Sequence, residues 1–164
     1  MLQVRIAGGA DAAAVEQVLL ASYPVLMADA YEAALLARAL PIITRANPKL
    51  LGCGTYYLAE ADGGPVGCGG WTMERPGSDR IEPGLAHIRH FAVDARWTGR
   101  GVGRALYARC ELAAREAGVR RFECQASLNG EVFYAALGFA SAGPIGVPMR
   151  PDLTFPSILM HRPI

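Results

Sequence analysis

The sequence predicts an α/β fold, organised as one domain over residues 1–164. Three observations predict it. Stretches with the two-residue alternation of a strand are interleaved with stretches whose apolar residues recur every three or four positions, the spacing of a helix face. The order of those stretches is β-α-α-β-β-β-α-β-α-β-β, which buries its apolar faces as helices packed on a sheet. A glycine-rich turn, Thr98-Gly99-Arg100-Gly101-Val102-Gly103-Arg104, joins a strand to a helix past the middle of the chain. At 164 residues the chain is long enough for a sizeable core, and it holds no repeat, low-complexity tract or linker.

Residues 2–7 alternate and read as a first strand, broken by Gly8-Gly9. Asp11 is suited to cap a helix reaching about Ser22, with Val15, Val18 and Leu19 on one face, and Tyr23-Pro24 interrupts it. A second helix is expected over residues 29–45 on the stripe Leu36, Leu40 and Ile43, bent at Pro41 and stopped by Asn47-Pro48. Residues 55–61 and 66–75 read as strands joined by the hairpin turn Asp62-Gly63-Gly64-Pro65. After a polar loop, residues 87–93 form a strand apolar enough on both faces to be central. The helix beyond the glycines buries Val102, Leu106, Cys110, Ala113 and Ala117 and ends at Gly118. Residues 121–126 alternate again, burying Phe122, Cys124 and Ala126. A short helix from Asn129 closes at Gly138, and two strands follow, one from Phe139 and one over residues 154–162.

The glycine turn carries the chemistry. Glycine at every second position lets the backbone bend sharply and leaves its amides uncovered. The helix that follows aims its unpaired N–H groups and the positive end of its dipole into the turn, which makes a phosphate or pyrophosphate site. Arg96, Arg100 and Arg104 add positive charge. The same glycines also suit a plain strand-to-helix bend. No Gly-Lys-Ser/Thr follows, so the turn is not a P-loop. Arg104 stands where a dinucleotide fingerprint needs its third glycine.

Composition narrows the function classes. A net charge of +1 and the lack of a basic stripe argue against nucleic-acid binding. No apolar run approaches the roughly 18 residues of a membrane span. Cys53, Cys68, Cys110 and Cys124 make no C-x-x-C pair, so no metal site is expected. Cys110 and Cys124 fall on apolar faces and read as core residues of a reducing compartment, which makes a cytoplasmic location the expectation.

The element order, with the glycine turn between the fourth strand and the third helix, resembles the GNAT superfamily of acyl-CoA-dependent N-acyltransferases. That family's signature Arg/Gln-x-x-Gly-x-Gly/Ala is matched by Thr98-Gly99-Arg100-Gly101-Val102-Gly103, with Thr98 in place of the usual Arg or Gln. A second match runs from Ser127 through Asn129, Phe133 and Tyr134 to Gly138-Phe139, and Pro156-Ser157-Ile158-Leu159-Met160 is similar to the last strand of many members.

The resemblance implies a mixed, mostly antiparallel sheet flanked by helices, its fourth and fifth strands splayed. It implies acetyl-CoA as co-substrate, with Phe91, Ala92 and Val93 along the pantetheine arm, and with Thr98, Gly99, Arg100, Gly101, Val102, Gly103 and Arg104 at the pyrophosphate. It leaves Arg96 or Arg104 for the 3′-phosphate. Asn129 either bonds the pantetheine arm or caps a helix. Tyr134 is implied as the acid that protonates the departing thiolate. His87, placed by period two on one face with Arg89, Phe91 and Val93, is the candidate base. Glu74 or a water chain is the reserve, and His90, on the opposite face, reads as structural. The implied acceptor is a primary amine of a small molecule or peptide, entering near Tyr23, Met27, Asp29, Tyr31, Glu32, Glu74, Asp79 and Glu82. A non-catalytic acyl-CoA-binding module would keep the turn but have no need of Tyr134. The apolar final strands leave a homodimer open.

Overall fold

The computed structural model describes all 164 residues. One seven-stranded sheet holds β1 (Gln3–Ile6), β2 (Tyr56–Ala61), β3 (Gly64–Thr72), β4 (Leu85–Val93), β5 (Arg121–Ser127), β6 (Ala140–Arg150) and β7 (Leu153–Pro163). Their order across the sheet is β1-β2-β3-β4-β5-β7-β6. Every neighbouring pair is antiparallel except β4 and β5. That mixed, mostly antiparallel sheet agrees with the expected fold class.

The parallel pair decides the architecture. β4 and β5 are in register only at Leu85–Arg121, Ala86–Phe122 and His87–Glu123. Beyond that point β4 stays on β3 and β5 stays on β7, and the two part. Residues 88–93 and 124–127 therefore face each other across a split in the middle of the sheet.

Helices cover both faces. One face carries α1 (Ala12–Leu26) and α2 (Ala33–Ile43), over a core that includes Tyr56, Leu58, Cys68 and Ala92. The other carries α4 (Val102–Glu116), whose Val102, Leu106 and Cys110 pack with Tyr57, Ile88 and Phe122. Gly67 lets α4 sit close, because a Cβ there would lie 2.5 Å from Val102 Cγ1.

Several boundaries differ from those expected. The first helix runs through Pro24 to Leu26. The carbonyl that Pro24 cannot bond belongs to Leu20, an exposed residue. The second helix is shorter, since a turn on the Met27 carbonyl precedes it and the Thr44 hydroxyl closes it on Leu40 at 2.6 Å. Asn47-Pro48 does more than stop it. The Asn47 side chain accepts from the Lys49 N–H at 2.9 Å and Pro48 opens a further short helix, α3 (Pro48–Leu51). The β2–β3 hairpin turns on Asp62 and Gly63, both at positive φ, a two-residue primed turn. The last two strands are eleven residues each, and β6 tolerates Pro144 and Pro148 because it is the sheet edge. The last helix, α5 (Glu131–Ala136), follows a short turn at Leu128–Gly130. No helix is long and apolar enough to cross a membrane.

Candidate active site

A cavity of about 730 Å³ opens where β4 and β5 part. Its walls come from both cores. Val102, Phe133 and Tyr134 belong to the α4 face, and Tyr23, Met27 and Phe155 to the α1 face. The cavity thus passes through the sheet, and each end has its own chemistry.

At the α4 end stands the glycine turn. Gly99 and Gly101 hold φ of +75° and +84°, and nothing lies within 4 Å of where a Cβ would project from either. Gly101 is the residue before α4, so the first amides of that helix point into the turn. Gly103 has a different reason to be glycine: a Cβ there would lie 2.7 Å from the Phe133 ring. Thr98, Gly99, Gly101, Val102, Gly103 and Arg104 line the cavity. Arg100 does not, and its guanidinium lies 4.6 Å over the Trp97 ring. Arg96 is occupied too: it donates to Asp94 at 2.8 Å and 3.1 Å. Arg104, on the wall and in no ion pair, is the cation left for an anion there.

Phe91, Ala92 and Val93 from β4 line the same cavity, as do Asn129 and Tyr134. Asn129 does not cap α5. It lies inside the preceding turn, Gly130 holds the cap position, and the Asn129 amide makes no side-chain hydrogen bond within the protein. Tyr134 is buried among Phe91, Phe133 and Phe139 with ring centroids 5.0–6.2 Å away. Burial first, and then the neighbouring Cys124, hold its phenol well above the usual tyrosine range, so it stays protonated. Burial also pushes the Cys124 thiol, on the same wall, up to about 12, which keeps it from being a thiolate nucleophile.

The histidines exchange places relative to expectation. The period-two reading fails because β4 bulges: Cys68 faces Ala92 and Gly70 faces Arg89, so Gly69 alone opposes both His90 and Phe91. His90 takes φ +50° at the bulge. Gly69 makes room, since its Cβ would lie 2.4 Å from Phe91 Cδ1. Three hydrogen bonds hold the strained turn. Tyr56 Oη donates to the His90 carbonyl at 2.8 Å, and Tyr23 Oη to the Phe91 carbonyl at 2.7 Å. His90 Nε2 lies 2.8 Å from the Ile43 carbonyl, the last of α2. A carbonyl only accepts, so Nε2 carries the proton and Nδ1 keeps its lone pair.

After the bulge Phe91 and Val93 turn to the α4 face while Ala92 packs on the α1 side. His87 thus does not share a face with Phe91 and Val93. It lies outside the cavity, in a small recess with Arg75, Arg80, Glu82 and Glu123, its Nδ1 3.7 Å from the Glu123 carboxylate. Glu74 is outside as well, in a backbone bridge to Ile81. His90 does line the cavity. Burial lowers its affinity for a proton, Arg89 adds to this, and the bond to Ile43 opposes it.

Of the residues expected near an acceptor, Tyr23 and Met27 line the cavity, whereas Asp29, Tyr31, Glu32, Asp79 and Glu82 do not. Tyr31 has a building role. It stacks on Phe155 at 4.3 Å, donates to the Pro156 carbonyl at 2.7 Å and accepts from the Leu128 N–H at 2.9 Å. Ile43, His90, Val147, Met149 and Ser157 are also wall residues, and no sequence motif marks them as such. They come from four separate elements, and only the bulge and the β6–β7 hairpin bring them together.

Residues 52–141 match the family model described as an acetyltransferase (GNAT) domain. Solved structures similar over nearly the whole chain include the following. A GCN5-related N-acetyltransferase from Rhodopseudomonas palustris is 20% identical with a TM-score of 0.77, covering 100% of this chain and 95% of that one. PaiA N-acetyltransferase from Thermoplasma acidophilum, solved in complex with coenzyme A, is 12% identical with a TM-score of 0.71, covering 100% and 99%. A GCN5-related N-acetyltransferase from Kribbella flavida is 27% identical with a TM-score of 0.62, covering 99% and 98%.

Proposed function

We propose, on the premise that this chain belongs to the GNAT acetyltransferase family, that it moves an acetyl group from acetyl-CoA to a primary amine by direct attack. The observation that carries this reading is the cavity through the split sheet, with an uncovered glycine turn at one end and the Tyr134 phenol in its wall. The residues present fit the co-substrate. The amides at Gly99–Gly103 and the Arg104 guanidinium suit its phosphates. The free edge of β4 at Phe91–Val93 offers backbone groups to the pantetheine arm, and the unpaired Asn129 amide offers both a donor and an acceptor. Bound there, acyl-CoA supplies the activated acyl carbon and a thiolate leaving group.

The amine nitrogen bonds to the acyl carbon, the carbon–sulfur bond breaks, and its electron pair leaves on sulfur. Tyr134 Oη gives that sulfur a proton. The ammonium loses two protons overall. One restores Tyr134 and the other passes to solvent. A phenol held protonated by burial suits this role, and Cys124, held as a thiol, suits a path without a covalent enzyme intermediate.

The test is Tyr134→Phe, followed by thiol release from acetyl-CoA and by CoA-dependent thermal stabilisation. The expected result is a fall in kcat of about 100-fold or more with CoA binding kept. Full turnover in the variant would overturn the acid assignment. A wild-type protein that CoA does not stabilise would overturn the whole reading.

A further inference from the structure

Building on the acyl-transfer reading, we infer that the α1-side end of the cavity is an acceptor site for a primary amine whose body is apolar and carries no second charge, and that His90 takes the proton of that amine. The wall there is Leu26, Met27, Ile43, Val147, Met149 and Phe155. Its polar groups are few. The Tyr23 hydroxyl is committed to the Phe91 carbonyl, Ser22 and Ser157 add two neutral hydroxyls, and Gln125, alternating with Cys124 and Ala126 of the α4-side core, adds a neutral amide.

No aspartate or glutamate lines any part of the cavity, and its only permanent cation is Arg104, beside the glycine turn. A polyamine would bring a second ammonium with no carboxylate to meet it. An amino acid would bring a carboxylate with no cation at its end. Either charge would be desolvated unpaired, which is costly. An aromatic or alkyl amine buries its body against Met, Phe and aliphatic side chains instead.

The amine itself arrives as an ammonium and needs a proton acceptor. His90 is the only imidazole on the wall, and its Nδ1 has no partner within the protein while Nε2 is fixed on Ile43. The groups around it leave it neutral and available. Arg89 on its own strand is the charged neighbour, Tyr23 of α1 packs 5.9 Å from its ring, and Tyr56 of β2 bonds its carbonyl. Both tyrosines stay protonated through burial. The proton moves from ammonium nitrogen to Nδ1, then to solvent, and the nitrogen lone pair it uncovers makes the new bond.

The experiment uses the full chain. CoA alone is tested first for thermal stabilisation. Thiol release is then followed with acetyl-CoA and 2-phenylethylamine or hexylamine, against spermidine, lysine and glutamate. The expected kcat/KM for the two monoamines exceeds that for the charged set by about tenfold or more. Met149→Asp, which places a carboxylate on the wall, is expected to move the preference toward spermidine. His90→Asn, a residue that also tolerates positive φ, is expected to lower kcat/KM for 2-phenylethylamine near pH 7 and by less at higher pH, where more free amine is present. Stabilisation by CoA reports that each variant is folded and loaded. If CoA stabilises the protein but spermidine or glutamate is used as well as the monoamines, or no monoamine is used, the acceptor class is overturned. If His90→Asn leaves rate and pH profile unchanged, the proton-acceptor role is overturned. If CoA fails to stabilise the wild type, the failure lies in the acyl-transfer reading itself.

Discussion

His90 and His87 lie three residues apart on one strand, yet the fold gives them different surroundings. His90 sits on the cavity wall with Nε2 fixed on Ile43, and His87 sits in the recess with Glu123. His87→Asn is therefore expected to leave kcat/KM near the wild-type value while His90→Asn lowers it, a comparison that steady-state kinetics with one amine decides. Both imidazoles are held below the ordinary value of 6.5, in each case by burial first. The sign follows from linkage. Each group binds its proton more readily in the unfolded chain, so its contribution to stability is present above pH 6.5 and is lost as pH falls below it. The midpoint of thermal unfolding is expected to drop between pH 7 and pH 5, and to drop less in either histidine variant. Tyr134, Asn129 and Arg104 could be singled out in the sequence because each sits in or beside a short motif. His90 could not, because alternation along residues 87–93 assigns faces only if the strand never slips, and the extra residue opposite Gly69 reverses the assignment from that point on.

Glycines that look alike in the turn have separate work at the level of the element. Gly101 and Gly118 both hold φ +84° with open space where a Cβ would go, one before α4 and one after it. Gly101→Ala and Gly118→Ala should each cost roughly 1–2 kcal/mol of stability from the strained backbone. Only Gly101→Ala should weaken CoA binding, since only that methyl group would stand in the turn; isothermal titration against denaturant unfolding separates the two effects. Gly103→Ala should behave in a third way. Its methyl would press on Phe133, costing about 1–3 kcal/mol of overpacking. The helices and strands themselves were legible wherever an apolar stripe ran long, as in α4. Their ends were less so. Pro24 sits inside α1 four residues after the exposed Leu20, and Asn47-Pro48 opens a helix as readily as it closes one. In both places the local signal is the same for two outcomes, and the surroundings choose.

The whole molecule is a sheet in two leaves. One leaf is β1–β4 and the other is β5, β7 and β6, and they share only the three register pairs from Leu85–Arg121 to His87–Glu123. The family resemblance implied the mostly antiparallel sheet and its splayed fourth and fifth strands, but no residue type marks where the one parallel pairing ends. The cavity occupies that split, with walls from both leaves and both faces. A ligand filling it would replace the missing strand contacts, so its effect should reach beyond the residues it touches. CoA at about 100 times its dissociation constant adds roughly 2.7 kcal/mol, or about 5–10 °C for a chain of this size. Hydrogen exchange should show where that energy goes. Those amides of residues 88–93 and 124–127 that point into the split, away from β3 and β7, are expected to gain protection together when CoA is added, along with those of the glycine turn. Protection confined to the turn, with both strand segments unchanged, would mean that the phosphates bind while the split stays open, and that the leaves are held together by α4 and α5 without help from the co-substrate.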